Sequence, residues 1–456
     1  MFTKAACILS AHSTCGAIAR ATRPLMLACV AFTCHAEPGQ AVVDGLGKSV
    51  DAQVAQNYQH IEAIYKDIHA NPELSFEETR TAKKLAAEMR SLGFEVTEGV
   101  GKTGVVALLR NGTGPVVMVR TELDALPMEE KTGLPYASKV KAMFQGKETF
   151  VAHSCGHDLH MAAWVGVART LAALKGEWKG TLMFVAQPAE ETLGGAKAML
   201  ADGLFTRFPK PDAAFALHTW PMAYGEVGFN SGPVTSNADA FEAVFRGRGA
   251  HGSAPDKAID PVLIASRFVV DVQGVISREK DPFQFGVFSV GSIQGGSSGN
   301  IIPDTVELRG TIRSYDQEVR SKIRGGVQRT AKAVAAMAGA PEPDVRVVPG
   351  GDATINNAQL VDRTEAVLKA SFDPNKVKRM LPIPPSEDFA EYGGAGVPSM
   401  FFLVGVNDPN EVEASKQPGG KPLPSNHSPF FAPVPEPSIK TAMKAMSLAV
   451  LATLQR

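Results

Sequence analysis

Between His153 and His160 the segment "HSCGHDLH" carries three histidines, a cysteine and an aspartate. A core helix has no need of so many soft and titratable groups, whereas a metal centre or a nucleophile does. Four further stretches place ligand-type residues at the ends of apolar runs. They are Glu190 and Glu191 in "AQPAEET", His218 in "ALHTW", His427 in "SNHSPFF", and Glu122 with Asp124 in "RTELDALP". Cys155, His157, Glu191, His218 and His427 form a mixed sulfur, nitrogen and oxygen set. Such a set suits Zn²⁺ or a similar late first-row ion rather than Mg²⁺ or Ca²⁺. Five ligands exceed what one tetrahedral ion needs, and two ions with a bridging ligand fit better, a role a thiolate can take. Two adjacent glutamates in a strand-end turn can divide the work, one binding metal and the other shuttling a water proton.

Two other readings start from the same residues. Cys155 could be a nucleophile with His157 as its base, but residues two apart on a turn rarely face each other, and the remaining His/Glu set would go unused. A metal-binding relative without catalysis is the other, and loss of Glu190 would have been its mark; Glu190 is present. His60 and His69 read as ordinary structural histidines, and His153 and His160 are open between support of the ligands and packing. "GRGAHG" formally matches a dinucleotide fingerprint. It opens no helix, because "SAPDKAIDP" follows, so nucleotide binding is not expected.

The elements that must position these groups are legible in outline. Residues 51–70 and a segment opened by a "SFEE" capping box, Ser75 to Glu78, read as helices. The runs "GVVALL", "PVVMVR", "TLMFVAQP" and "DAAFALH" read as strands, separated in several places by helical stretches such as 158–174 and 194–202. This alternation predicts an α/β domain with a largely parallel central sheet, whose strand ends carry the site. From about residue 237 the order becomes β-α-β-β-α-β, that of a ferredoxin-like α+β unit. Helix 357–371, strand "SMFFLVG" and helix 436–454 then return to α/β character. The reading is a catalytic domain of residues 37–236 and 350–456 with residues 237–349 inserted, and 407–426 as a long loop.

The chain has 456 residues, 44% of them hydrophobic and 20% charged, with a formal net charge of −1. About two domains follow from length, and nothing points to nucleic acid or an acidic membrane surface as partner. Residues 1–36 carry Lys4, Arg20 and Arg23 without an acid, then the apolar "PLMLACVAFTCHA". This pattern predicts a signal peptide cleaved before Glu37, and a secreted or periplasmic protein with no membrane attachment after cleavage. Cys7, Cys15, Cys29 and Cys34 all fall in that leader, so the mature chain keeps Cys155 alone and has no disulfide framework.

"HANPELS", "ELDALP", "CGHDLH", "AQPAEE", "GAHGSAP", "GNIIPD", "GTIR" and "EDFAEY" occur in this order. Together they resemble the metal-dependent amidohydrolases that include aminoacylases, hippurate hydrolases and hydrolases of auxin–amino acid conjugates, over about residues 50–455. The resemblance implies a dinuclear-metal α/β domain with an inserted lid that pairs two subunits. It also implies cleavage of N-acyl amino acids by a hydroxide bridging two metals, zinc foremost, with manganese, cobalt or nickel as alternatives. By that resemblance Cys155, His157, Glu191, His218 and His427 are the ligands, with Cys155 the bridge, and Glu190 is the general base and then acid. Asp124 resembles an acid that orients a ligand. Glu122 stands where the family has aspartate and is not counted as a ligand. His251 resembles a histidine that reaches the partner subunit's site to steady the oxyanion, and Asn300 and Arg313 resemble residues that hold the substrate carboxylate. Phe283, Phe285 and Met222 are expected near the acyl group. A dipeptidase or carboxypeptidase of the same family is the alternative activity.

Overall fold

The computed structural model describes residues 40–454. The leader of residues 1–36, with its four cysteines, lies outside the described residues.

An eight-stranded sheet forms the larger layer. Its strands run in the spatial order Glu95–Val100, Gly104–Asn111, Gly180–Gln187, Val116–Glu122, Ala213–Ala223, Ser399–Asn407, Val227–Phe229, Val377–Arg379. The alternation of side chains along each strand assigns them to two faces. Val117, Val119, Phe184, Ala186, Phe215 and Leu217 point into a core shared with the helices Gln40–Ala70, His157–Ala173 and Pro435–Leu454. Met118, Met183, Val185, Ala214 and Ala216 point into a second core with Phe389, Tyr392 and Phe401. Burial on both faces explains why these strands read as continuous apolar runs rather than alternating ones.

The expectation of a largely parallel sheet needs correction. Of the seven strand pairings four are parallel and three antiparallel. Glu95–Val100 and Gly104–Asn111 are joined by a tight turn with Gly101 at φ 65° and Lys102 at φ 85°; a hairpin can pair only antiparallel strands. Three of the parallel pairings, among Gly180–Gln187, Val116–Glu122, Ala213–Ala223 and Ser399–Asn407, occupy the middle, and the fourth joins Val227–Phe229 to Val377–Arg379 at the edge.

A four-stranded antiparallel sheet has the order Gly286–Gln294, Thr305–Ser314, Asp239–Arg246, Asp344–Pro349. The helices Pro261–Asp271 and Gln317–Met337 pack on it around Phe241, Phe245, Phe268, Phe288 and Ile323. The β-α-β-β-α-β order and the strand arrangement are those of a ferredoxin-like unit. The helix Pro261–Asp271 is followed by a π-helical turn, Val275–Glu279. Within 407–426, read as loop, Asp408 caps a short helix, Pro409–Ser415.

The "SFEE" segment is not a capping box. The helix Thr79–Ser91 has no side-chain cap from Glu78. Its free N–H groups at Arg80 and Thr81 donate instead to the Glu73 carboxylate at 3.0 and 2.8 Å. Phe76 takes φ 64° and turns Ser75 and Glu78 away from the helix end. Among the described residues no helix is long and apolar enough to cross a membrane.

Candidate metal centre

The site forms where the middle strands end. Val116–Glu122 delivers Glu122 and, two residues on, Asp124; Gly180–Gln187 delivers the turn with Glu190 and Glu191; His218 lies within Ala213–Ala223. Cys155 and His157 flank Gly156, which leads into the helix His157–Ala173 with φ 92°. A Cβ at Gly156 would stand 2.4 Å from Thr219 Oγ1, so both backbone angle and space require glycine. His427 takes φ 67°, and its N–H donates to Ser154 O at 2.8 Å. The Asn426 amide donates to Cys155 O at 2.8 Å, which ties the late loop to the cysteine turn.

Hydrogen bonds set which imidazole nitrogens face the centre. His157 Nδ1 donates to Asp124 O at 2.7 Å and His218 Nδ1 to Thr219 O at 2.8 Å, so each presents Nε2. Cys155 Sγ lies 3.4 Å from His218 Nε2 and 3.2 Å from His427 Nε2, and His427 Nε2 lies 3.4 Å from Glu191 Oε2. Two donor trios result, Cys155–His157–His218 and Cys155–Glu191–His427, each with its donor atoms within 4.8 Å of one another. Cys155 is the corner they share. His157 Nε2 and Glu191 Oε1 are buried without a hydrogen-bond partner, which leaves both free to take a cation. The five expected ligands are thus brought together, and the residues fit a pair of cations.

Electrostatics agree. Burial, then Glu387, Glu191 and Asp388, push the Glu190 carboxyl well above the usual carboxylate range. Burial raises Glu191 to about 7 against the pull of His157. Burial disfavours charge on His157, yet Asp124, Glu122 and Glu191 around it lift it to about 10. A buried acid cluster of this kind is short of positive charge. The same field bears on the nucleophile reading. Burial, followed by Glu191, Glu190 and Glu122, raises the Cys155 thiol well above its ordinary value, the reverse of what a free nucleophile requires. The imidazoles in contact with it are His218 and His427.

The support around these five residues is more extensive than the motifs suggest. Asp124 accepts from Glu190 N at Oδ1 and from Glu191 N at Oδ2, both at 3.0 Å, so its side chain holds the glutamate turn. His160 Nε2 accepts from Thr219 N at 2.8 Å, which leaves Nδ1 to donate to Glu122 Oε2 at 3.0 Å. Both ring nitrogens are engaged, so His160 is a neutral spacer and not a ligand. Glu122 also accepts from Arg120, whose guanidinium, wholly buried, donates to Glu387 at 2.8 Å and to Asp388 at 2.9 Å. Sequence reasoning missed Arg120, Glu387 and Asp388. A lone cation at the end of "PVVMVR" and the paired acids of "EDFAEY" were the available signal. His153 is buried with neither ring nitrogen partnered, and burial lowers it to about 4.

A cavity of about 440 Å³ opens over the two trios; Glu190, Arg313, Ser386, Trp220, Ile383 and Phe401 are among its walls. Half-buried Arg313 donates to Ser386 Oγ. The expectation for the acyl neighbourhood is corrected. Phe283 is 98% exposed, Phe285 stacks on Tyr315, and Met222 packs with the second core, so none of the three lines this cavity. His251 and Asn300 lie beside each other outside it. His251 pairs across from Ile301, and Gly252 N donates to Asn300 O at 2.8 Å, with both residues exposed.

A donor set cornered on Cys155 at the carboxyl edge of a mixed sheet, under a cavity with a cationic wall, is the arrangement of a metal-dependent hydrolase. Residues 118–419 match peptidase family M20/M25/M40. The chain is 37% identical over 350 residues to the hippurate hydrolase of Campylobacter jejuni, covering 76% of this chain and 88% of that one. It is 36% identical over 395 residues to thermostable carboxypeptidase 2 of Saccharolobus solfataricus, covering 85% and 94%. The crystal structure of a Bacillus subtilis protein described as a dinuclear metal binding peptidase from the M20 family superposes with a TM-score of 0.72 at 29% identity, covering 88% and 99%. The chain belongs to peptidase family M20/M25/M40.

Proposed function

We propose that the protein is an amidohydrolase of N-acyl amino acids or amino-acid conjugates that holds two divalent metal ions. The observation that carries this is the pair of donor trios sharing Cys155 beneath a cavity walled by Arg313. The ions, when bound, would polarise the amide carbonyl and lower the pKa of water, zinc being the first choice for this donor set. Glu190 takes the proton of the attacking water and returns it to the leaving amine. Its position beside the ligand Glu191 and its raised pKa suit a group that must hold a proton between two steps. Arg313 holds the substrate carboxylate, Asn300 reaches it from the partner subunit as His251 does, and Asp124 keeps the glutamate turn in place. His251 offsets the oxyanion from the partner subunit in a homodimer built through residues 237–349, with residues 37–236 and 350–456 as the catalytic domain. The hippurate hydrolase and the carboxypeptidase among its relatives support an amide substrate with a free carboxylate. The composition of residues 1–36 supports export.

The test is turnover of N-acetyl, N-benzoyl and indole-acetyl amino acids and of dipeptides after metal reconstitution, with Glu190→Gln alongside. The expected result is cleavage of the acylated amino acids in preference to dipeptides, and a loss of about 10²- to 10⁴-fold in kcat in Glu190→Gln at unchanged metal content. Near wild-type kcat in a fully metallated Glu190→Gln would remove Glu190 as the base.

A further inference from the structure

The glutamate turn has an unusual backbone. Ala189 is fully buried at φ 50°, and Leu193 follows at φ 53°. Neither is glycine, so the left-handed conformation persists only where neighbours hold it. Three consecutive N–H groups of the turn each meet a carboxylate. Ala189 N donates to Glu78 Oε1 at 2.9 Å, Glu190 N to Asp124 Oδ1 at 3.0 Å, and Glu191 N to Asp124 Oδ2 at 3.0 Å.

Glu78 is held in its turn. Phe76 N also donates to its Oε1 at 2.9 Å, and Thr103 Oγ1 donates to its Oε2. Ser75 Oγ donates to Asp124 Oδ2 at 2.7 Å. The segment Ser75–Glu78 therefore reaches both carboxylates of the turn. Glu78 has no exposed surface, and the donors on it are two backbone N–H groups and a hydroxyl, none of them a cation. Nor is it spent on the helix that follows, because Glu73 caps Thr79–Ser91. A buried carboxylate without a countercharge is expensive to keep, and here its distant contact is the residue immediately before Glu190.

We infer that Glu78 is a positioning residue for Glu190: its Oε1 fixes the Ala189 peptide and so sets where the Glu190 carboxylate enters the cavity. The inference rests on the reading of Glu190 as general base. It concerns the placement of an oxygen, not a charge, and that distinction makes it testable. In Glu78→Gln a carbonyl oxygen still reaches Ala189 N, and the amide can donate to Thr103 Oγ1. Glu78→Asp keeps the charge but withdraws it by one methylene.

The experiment measures kcat, KM and metal content of Glu78→Gln, Glu78→Asp and Glu78→Ala on an N-acyl amino acid, with thermal melts to confirm folding. The expected result is Gln within about 3-fold of wild type in kcat. Asp and Ala should fall about 10- to 100-fold in kcat, the range for a reacting group displaced by about an ångström, with KM and metal content little changed. In a Glu190→Gln background Glu78→Asp should add almost nothing, because the two act through one carboxylate. Asp equal to or better than Gln, an unaltered kcat in a folded Ala variant, or a purely KM effect would each overturn the inference. Should Glu78→Ala fail to fold, the Gln–Asp ranking decides alone. Failure of the base reading is separate, since it would show as turnover by Glu190→Gln itself.

Discussion

At the scale of residues, the centre turns on one sulfur. Cys155 stands 3.4 Å from His218 Nε2 and 3.2 Å from His427 Nε2, and both donor trios need it. Cys155→Ala should therefore lower bound metal from two ions per chain toward one, with activity lost alongside. A nucleophile would behave otherwise, keeping its metal and losing only turnover. Elemental analysis of the purified variant separates the two, and two ions retained per chain would count against the shared corner. Cys155, His157, Glu191, His218 and His427 were legible in the sequence because soft or anionic groups at apolar strand ends are uncommon without a purpose. Arg120 was not, because a strand-end arginine ordinarily reaches solvent. Only the fold reveals that Glu122, Glu387 and Asp388 surround it. The glutamate at 122, unexpected against the family's aspartate, reaches His160 and Arg120 at once.

At the scale of elements, a buried histidine ties two helices and a loop. His69 ends the helix Gln40–Ala70, Asp158 sits in the first turn of His157–Ala173, and Glu130 lies between strands. His69 Nδ1 donates to Asp158 at 2.6 Å, and its Nε2 lies 3.1 Å from Glu130. Burial opposes a charge on the ring, but the hydrogen bonds to Asp158 and Glu130 outweigh it and raise His69 from 6.5 to about 10. A raised folded pKa means that the stabilisation is complete below the unfolded value and is lost as pH climbs from about 6.5 toward about 10. Wild-type unfolding free energy should fall across that window by an amount on the order of a few kcal/mol, and His69→Asn should flatten the slope. Denaturant titrations at about pH 6 and about pH 9.5 check this; parallel curves for the two proteins would sink it. The sequence reading placed His69 correctly among structural groups, but its partners are 61 and 89 residues away and no periodicity joins them. Element types were readable from apolar runs for a similar reason that "SFEE" misled. Local patterns report local preference, and at Ser75 and Glu78 the distant acceptor and donor, Asp124 Oδ2 and Ala189 N, prevailed.

At the scale of the whole molecule, the proposed arrangement divides one site between two chains. His251 and Asn300 sit together on exposed backbone outside the cavity, where a second subunit could bring them to a site. His251→Ala and Glu190→Gln homodimers should each be nearly inactive. After subunit exchange, mixed dimers should regain a fraction of wild-type activity, since one composite site then holds Glu190 from one chain and His251 from the other. No recovery despite proven exchange would mean that His251 acts within its own chain or not at all. The two-sheet architecture was legible because the rhythm of strands and helices changes near residue 237. The antiparallel flank was not, since hairpin and crossover connections differ little in the composition of the strands they join. The strand order also bears on how the chain is made. Ser399–Asn407 lies between Ala213–Ala223 and Val227–Phe229, so the middle of the large sheet is closed by a late segment. During synthesis the strand carrying His218 therefore waits with one edge open, and open apolar edges invite pairing with other chains. The segment that closes that edge leads, within twenty residues, to His427. A chain that stops before residue 399 thus lacks both a strand from inside the large sheet and His427, which completes the second of the two donor trios.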